Sequence, residues 1–198
     1  YLIQMTTKPI VLSMGDPSGI SGEIVIKTWL DRKKENLHPF FVCDNTNRIK
    51  KLARHLSKNV PIKEIKSPKE TLGLFDEYLP IYNTIDNINY QLGSPRVNNS
   101  KHIIKSLVQS VDFVIDKKAK AVVTNPVSKK ILLKDNFEYK GQTEFISNLV
   151  SKRLKKKFDE VMILTTTNPI DKGDNLRVGL VTTHISIKDI NKDLNKKI

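Results

Sequence analysis

Four short segments hold the residue types that could bind or transform a ligand. The first is Ser13-Met14-Gly15-Asp16-Pro17-Ser18-Gly19-Ile20-Ser21-Gly22-Glu23, which joins an apolar run to an amphipathic one. Such a junction places backbone N–H groups and a helix start at a sheet edge, where anions and ligands bind. Its glycine spacing matches neither a dinucleotide fingerprint nor a P-loop, so a tight turn that needs glycine stands level with a ligand loop. The second, Val122-Val123-Thr124-Asn125-Pro126-Val127-Ser128-Lys129, ends a buried strand at a polar turn. Lys129 could reach a phosphate or carboxylate, although a surface lysine on a first helical turn is the more ordinary reading. In the third, Gly141-Gln142-Thr143-Glu144-Phe145, Thr143 reads first as a helix cap; Gln142 and Thr143 could also donate hydrogen bonds to a substrate. The fourth, Leu176 to Ile187, places His184 just past a buried strand. A neutral imidazole there suits a divalent metal, but a lone histidine is more often structural, and a catalytic ion wants about three protein ligands. His38, His55 and His102 show no ligand spacing.

The elements that must position these segments alternate. Apolar runs at Lys8–Met14, Phe40–Cys43, Val60–Ile65, Leu79–Tyr82, Lys120–Thr124, Val161–Thr165 and Arg177–Thr182 predict strands. Helical spacing predicts helices over about 22–34, through about Leu56 with Asp44 as its cap, within 95–116, over 127–133 and over 143–154. In the long one, Ile103, Ile104, Leu107, Val108, Val111, Val114 and Ile115 share a face; in the last, Phe145, Ile146, Leu149 and Val150 face inward. The stretch between Ile65 and Leu79 reads as loop, and residues 186–198 as a helix cut off in progress. Strands alternating with helices imply an α/β protein with a largely parallel sheet.

Composition narrows the class. The chain has 198 residues, 38% hydrophobic and 28% charged, which excludes disorder, and no apolar run approaches a membrane span. The net charge of +13 could be a nucleic-acid footprint, but the lysines are scattered and no basic stretch is interleaved with aromatics; solvated faces, with some attraction for a phosphorylated substrate, are the better reading. The single cysteine, Cys43, sits in an apolar strand, reads as a small core hydrophobe and fits a reducing cytoplasm. No secretory signal is visible at the start, and Met5 reads as the natural first residue behind Tyr1–Gln4.

Together the four segments resemble the 4-hydroxythreonine-4-phosphate dehydrogenases of vitamin B6 biosynthesis. That family carries a G-D-P-x-G-I-G-P-E-like turn, a T-G-P-V-x-K turn, G-H-T-E-[FY] and T-T-H-x-P-L. Here these are Gly15–Glu23, Thr124–Lys129, Gly141–Phe145 and Thr182–Ile187, in the same order. Any one of them is weak; four in register from Lys8 onward are specific.

The resemblance implies an isocitrate/isopropylmalate dehydrogenase-like fold, with two α/β/α lobes, a cleft between them and the C-terminal part missing. Residues 5–127 would form the first lobe and 128–198 the start of the second. It implies an enzyme, a homodimer, that uses NAD to oxidise 4-phosphooxy-L-threonine, with loss of carbon dioxide to give 3-amino-2-oxopropyl phosphate. A divalent metal (Zn, Mg or Co) would hold the substrate oxygens. By position His184 matches the first of three metal histidines, and Gln142 and Thr143 match the substrate-binding His-Thr pair. The other two histidines and the phosphate-binding residues lie further on in the family, so these residues alone are not expected to turn over. Gln142 stands where the family has histidine; it keeps hydrogen bonding but cannot titrate near neutral pH. That departure admits a sister enzyme acting on 4-phospho-D-erythronate or -threonate. A related phosphate acyltransferase would leave His184 unexplained, and a basic nucleic-acid binder is the reading outside enzymology.

Overall fold

A computed structural model describes residues 8–170, 173–182 and 185–194. Met5, His184 and the last residues of the expected C-terminal helix lie outside them. The strands are β1 (Ile10–Ser13), β2 (Phe40–Asp44), β3 (Ile62–Ile65), β4 (Leu79–Asn83), β5 (Val122–Val123), β6 (Ile163–Thr165) and β7 (Arg177–Gly179). The helices are α1 (Ser21–Leu30), α2 (Thr46–His55), α3 (Thr71–Leu74), α4 (Ser100–Ile115), α5 (Lys129–Lys134), α6 (Gln142–Leu154) and α7 (Ile190–Asp193). Contacts divide the chain into two compact units, Tyr1–Val150 and Ser151–Ile198. The lobe boundary expected after residue 127 falls within the first of them.

In the first unit five strands form a parallel sheet in the order β3-β4-β2-β1-β5. Alternation along the strands sorts the core into two faces. Leu12, Phe40, Val42 and Ile81 meet Val25, Ile26 and Trp29 of α1 and Ile49 and Leu52 of α2. Val11, Phe41 and Cys43 meet Phe113 of α4 on the opposite side. Each fully buried side chain of this kind stabilises the fold by about 1.5–3 kcal/mol. Edge-to-face ring pairs lock both layers: Phe40 with Phe75 at 4.9 Å, and Tyr82 with Phe113 at 4.8 Å.

Several local expectations change. Asp44 is the last residue of β2, and the cap of α2 is Asn45, whose side chain accepts a hydrogen bond from Arg48 N. Asp44 is committed instead to an ion pair with Arg48. The helix from residue 22 stops at Leu30, because the chain bends into turns that close with Leu37 N donating to Arg32 O at 2.8 Å. The supposed loop after β3 contains a 3₁₀ turn, Pro68–Glu70, started by a capping box between Ser67 and Glu70, and α3 follows it directly. On α4 the buried face includes Ser100, Ser106 and Ser110 beside Ile103, Leu107 and Val111, so small hydroxyl residues let it lie close to the sheet. β5 is a short edge strand with Val123 47% exposed, not a buried one. No residue of α6 is fully buried; Phe145 is half-buried and stacks with Phe137 and Tyr139.

In the second unit β6 and β7 pair antiparallel, and every residue of both is exposed. The two strands therefore depart from the buried, parallel arrangement that their apolar sequences suggest. Two short strands make a ladder but enclose no core. Among the described residues no helix is long and apolar enough to cross a membrane.

Cys43 is fully buried, and its thiol is pushed up to about 12, first by burial, then by the charge of Asp44, against a hydrogen bond with Ser110. The raised value means the folded state holds the proton that the unfolded state releases. Stability is therefore complete below the unfolded thiol value near 9.0 and is lost as pH rises towards about 12. The slope is about 1.4 kcal/mol per pH unit. Urea unfolding between pH 8 and 11 should show this alkaline decline, and Cys43→Ala should flatten it; an identical decline in the variant would refute the assignment. Thiol reagents should label Cys43 only after unfolding.

Candidate functional site

The winding of the sheet reverses between β1 and β5. From β1 the chain crosses by α1 on one face to β2, whereas α4 reaches β5 across the other face. Loops leaving two such strands diverge and open a crevice beyond their carboxyl ends, where open α/β sheets bind ligands. The first two motif segments lie at this point.

Hydrogen bonds tie them together. Asp16 N and Ser21 Oγ both donate to Pro126 O at 2.9 Å. Asn125, 4% exposed, donates from Nδ2 to Ser13 O at 2.7 Å and from its backbone N to Ser13 Oγ at 3.2 Å. Gly15 makes this approach possible. Its φ is +69°, and a Cβ there would stand 2.7 Å from Pro126 O and 2.8 Å from Asn125 Cβ. The Asp16 carboxylate turns back on its own loop, accepting from Ser18 N at 2.9 Å.

The loop rests on a buried ion pair. Arg48 Nε donates to Asp44 Oδ1 at 2.8 Å, Nη2 donates to Asp44 Oδ2, and Nη1 donates to Pro17 O at 3.4 Å. The two side chains are 0% and 1% exposed. Burial works against the guanidinium's charge, but Asp44, with smaller help from Tyr90 and Asp16, outweighs it and raises the Arg48 pKa. Ser106, on α4, ties the opposite layer to the same edge: its Oγ accepts from Met14 N at 2.8 Å and donates to Cys43 O at 2.6 Å. Neither Arg48 nor Ser106 stands out in sequence. The only signals are the four-residue spacing of Asp44 and Arg48 and a serine on the Ile103–Leu107 stripe.

The third segment joins through Gln142, whose Nε2 donates to Asn125 O at 3.3 Å. Its Oε1 is buried without a hydrogen-bond partner. Gln142 borders a cavity of about 150 Å³ together with Lys129, Lys140, Leu132, Phe137 and Tyr139. A buried acceptor left open, with two lysines and an aromatic wall, suits a small ligand that carries both a donor and a negative charge. Thr143 is exposed and lies inside the first turn of α6, which begins at Gln142, so it does not hold the cap position expected of it. Lys129 opens α5, exposed as expected of a first-turn lysine, yet at the cavity wall. The structure thus brings three segments together at one sheet edge, while His184 of the fourth lies outside the described residues.

The chain is similar to known proteins along nearly its whole length. It is 32% identical over 191 residues to the 4-hydroxythreonine-4-phosphate dehydrogenase of Zymomonas mobilis, covering 96% of this chain and 52% of that one. It is 31% identical over 198 residues to the enzyme of the same name from Bradyrhizobium diazoefficiens, covering 96% and 55%. The chain therefore spans about half the length of the curated relatives it matches. Among solved structures, 4-hydroxythreonine-4-phosphate dehydrogenase from Klebsiella pneumoniae superposes with a TM-score of 0.78 at 21% identity, over 96% of this chain and 55% of that one. The fold is shared. The family model for the pyridoxal phosphate biosynthetic protein PdxA matches residues 35–198, and the chain belongs to that family.

Proposed function

We propose that the chain supplies part of the active site of an NAD- and divalent-metal-dependent dehydrogenase. The reaction is oxidation and decarboxylation of 4-phosphooxy-L-threonine to 3-amino-2-oxopropyl phosphate, in pyridoxal phosphate biosynthesis. The observation that carries this reading is the open Gln142 acceptor, held over the cavity by Asn125 at the sheet's switch point. The whole enzyme is read as a cytoplasmic homodimer of two-lobed, isocitrate dehydrogenase-like subunits.

In this reading Gln142 Oε1 accepts a hydrogen bond from the substrate's ammonium or hydroxyl group. One of the two N–H groups of its Nε2 is spent on Asn125 O, which orients the amide and its Oε1. Lys129 and Lys140 draw the phosphorylated end by charge, and Thr143, exposed at the start of α6, has a hydroxyl free to meet a substrate oxygen. Among the described residues no three His, Cys, Asp or Glu side chains stand together as an ion would require, and His184, the proposed metal ligand, lies outside them.

NADH formation by the whole enzyme with 4-phosphooxy-L-threonine tests the assignment. Gln142→Ala should lower kcat/KM by about 10- to 100-fold, the loss of one hydrogen bond to a charged group. Absence of NADH with this substrate, under conditions where metal and NAD bind, would overturn it. Glutamine in place of the family histidine favours one second reading, a sister enzyme acting on 4-phospho-D-erythronate or -threonate. Turnover of that substrate without release of carbon dioxide would identify it.

A further inference from the structure

A second polar cavity lies at the start of α4, lined by no residue of the cavity at Gln142. It measures about 370 Å³, and its lining holds Arg96, Lys101 and His102 but no carboxylate. Arg96 is fixed by two neutral acceptors: Nη1 donates to Asn89 Oδ1 and Nη2 to Gln91 Oε1, each at 3.2 Å. Its charge is thereby positioned without being neutralised. The 3₁₀ turn Val97–Asn99 runs straight into α4, so the first N–H groups of a long helical segment, with the positive end of its dipole, open on the same side.

A second, independent observation points to a ligand. Asn99 is only 2% exposed, is part of the lining, and its Nδ2 has no hydrogen-bond partner. A buried amide N–H left unsatisfied costs about 1–3 kcal/mol unless a bound molecule takes it up. We propose that this cavity binds a phosphate group, with Arg96 and Lys101 supplying charge and Asn99 an amide donor. The field is positive without occupancy: burial first, then Lys101 and Lys105, hold His102 below its usual value. The site does not depend on the dehydrogenase reading, because none of its residues is given a part in that chemistry.

The shared chemistry admits two sources, free phosphate and the phosphate of a nucleotide. Titration of the chain with inorganic phosphate at constant ionic strength, followed by the His102 ring resonances, should give a saturable shift that chloride does not. Arg96→Gln and Lys101→Gln should each weaken it by about tenfold, the loss of one charge-assisted contact. Both positions are exposed, so neither change threatens folding. Lys69→Gln, the same change of charge outside the lining, should leave the affinity unaltered. Adenosine monophosphate binding more tightly than phosphate would assign the site to a nucleotide, and equal binding to the free anion. Unmoved His102 resonances, or equal weakening by Lys69→Gln, would overturn the proposal.

Discussion

Arg48→Met should destabilise the folded chain by about 3–5 kcal/mol, measured as the loss in urea unfolding free energy, because it strands the Asp44 carboxylate in the interior. Asp44 would keep only one described donor, the backbone N of Asn45 at 2.6 Å. Pro17 O would lose its contact with Nη1, so the Gly15–Glu23 loop should loosen as well. Adding Asp44→Asn to Arg48→Met should recover part of the loss, since the uncompensated charge disappears. The two changes are then strongly non-additive in a double-mutant cycle. A loss below about 1 kcal/mol, the size seen for exposed pairs, would show that the pair is not buried as described.

Gly15→Ala should cost about 2–4 kcal/mol and lower activity with it. Two effects combine. The left-handed backbone at φ +69° is strained for any residue with a Cβ, by about 1–2 kcal/mol. The added methyl would also stand 2.3 Å from Ser21 Oγ, 2.7 Å from Pro126 O and 2.8 Å from Asn125 Cβ. Ser21 can rotate away; the backbone at Pro126 cannot. Gly93 separates the two effects, because its φ is +74° but nothing lies within 4 Å of a Cβ there. Gly93→Ala should therefore show only the backbone term. Equal shifts in melting temperature for the two variants would refute the packing argument. With Gly15→Ala, Asn125 should be displaced and Gln142 should lose its anchor, so substrate KM in the whole enzyme should rise alongside the stability loss.

The sheet was legible wherever one physical signal dominated. The apolar runs at Phe40–Cys43 and Leu79–Tyr82 read as strands, and the spacing from Ile103 to Val114 as a helix with one buried side, and the structure has both. Signals failed where two local roles compete for one residue. Asp44 has the chemistry of a cap, but a buried arginine four residues on claims it, and Asn45 takes the cap. The run from Val161 to Thr165 is apolar enough for a core strand, yet no described layer covers it. At the candidate site the glycine turn, Asn125-Pro126 and Gln142 were visible as separate segments. What sequence could not give was their junction: the bonds from Asn125 to Ser13 and from Gln142 to Asn125 cross 112 and 17 residues. Thr143 shows the same limit, because where a helix starts by one residue decides whether a hydroxyl caps it or faces outward.

The Ser106 hydroxyl joins the tips of β1 and β2 to the middle of α4 through a single oxygen. The crevice loop begins one residue beyond that bond, at Gly15, while its own helix, α1, lies on the reverse side of the sheet. Its height above the strand ends is therefore governed from behind, much as a keystone is held by the wall it does not face. A sideways slip of α4 along the sheet would pass through this hydroxyl, and through Ile103 packed with Met14, into the ligand crevice from behind.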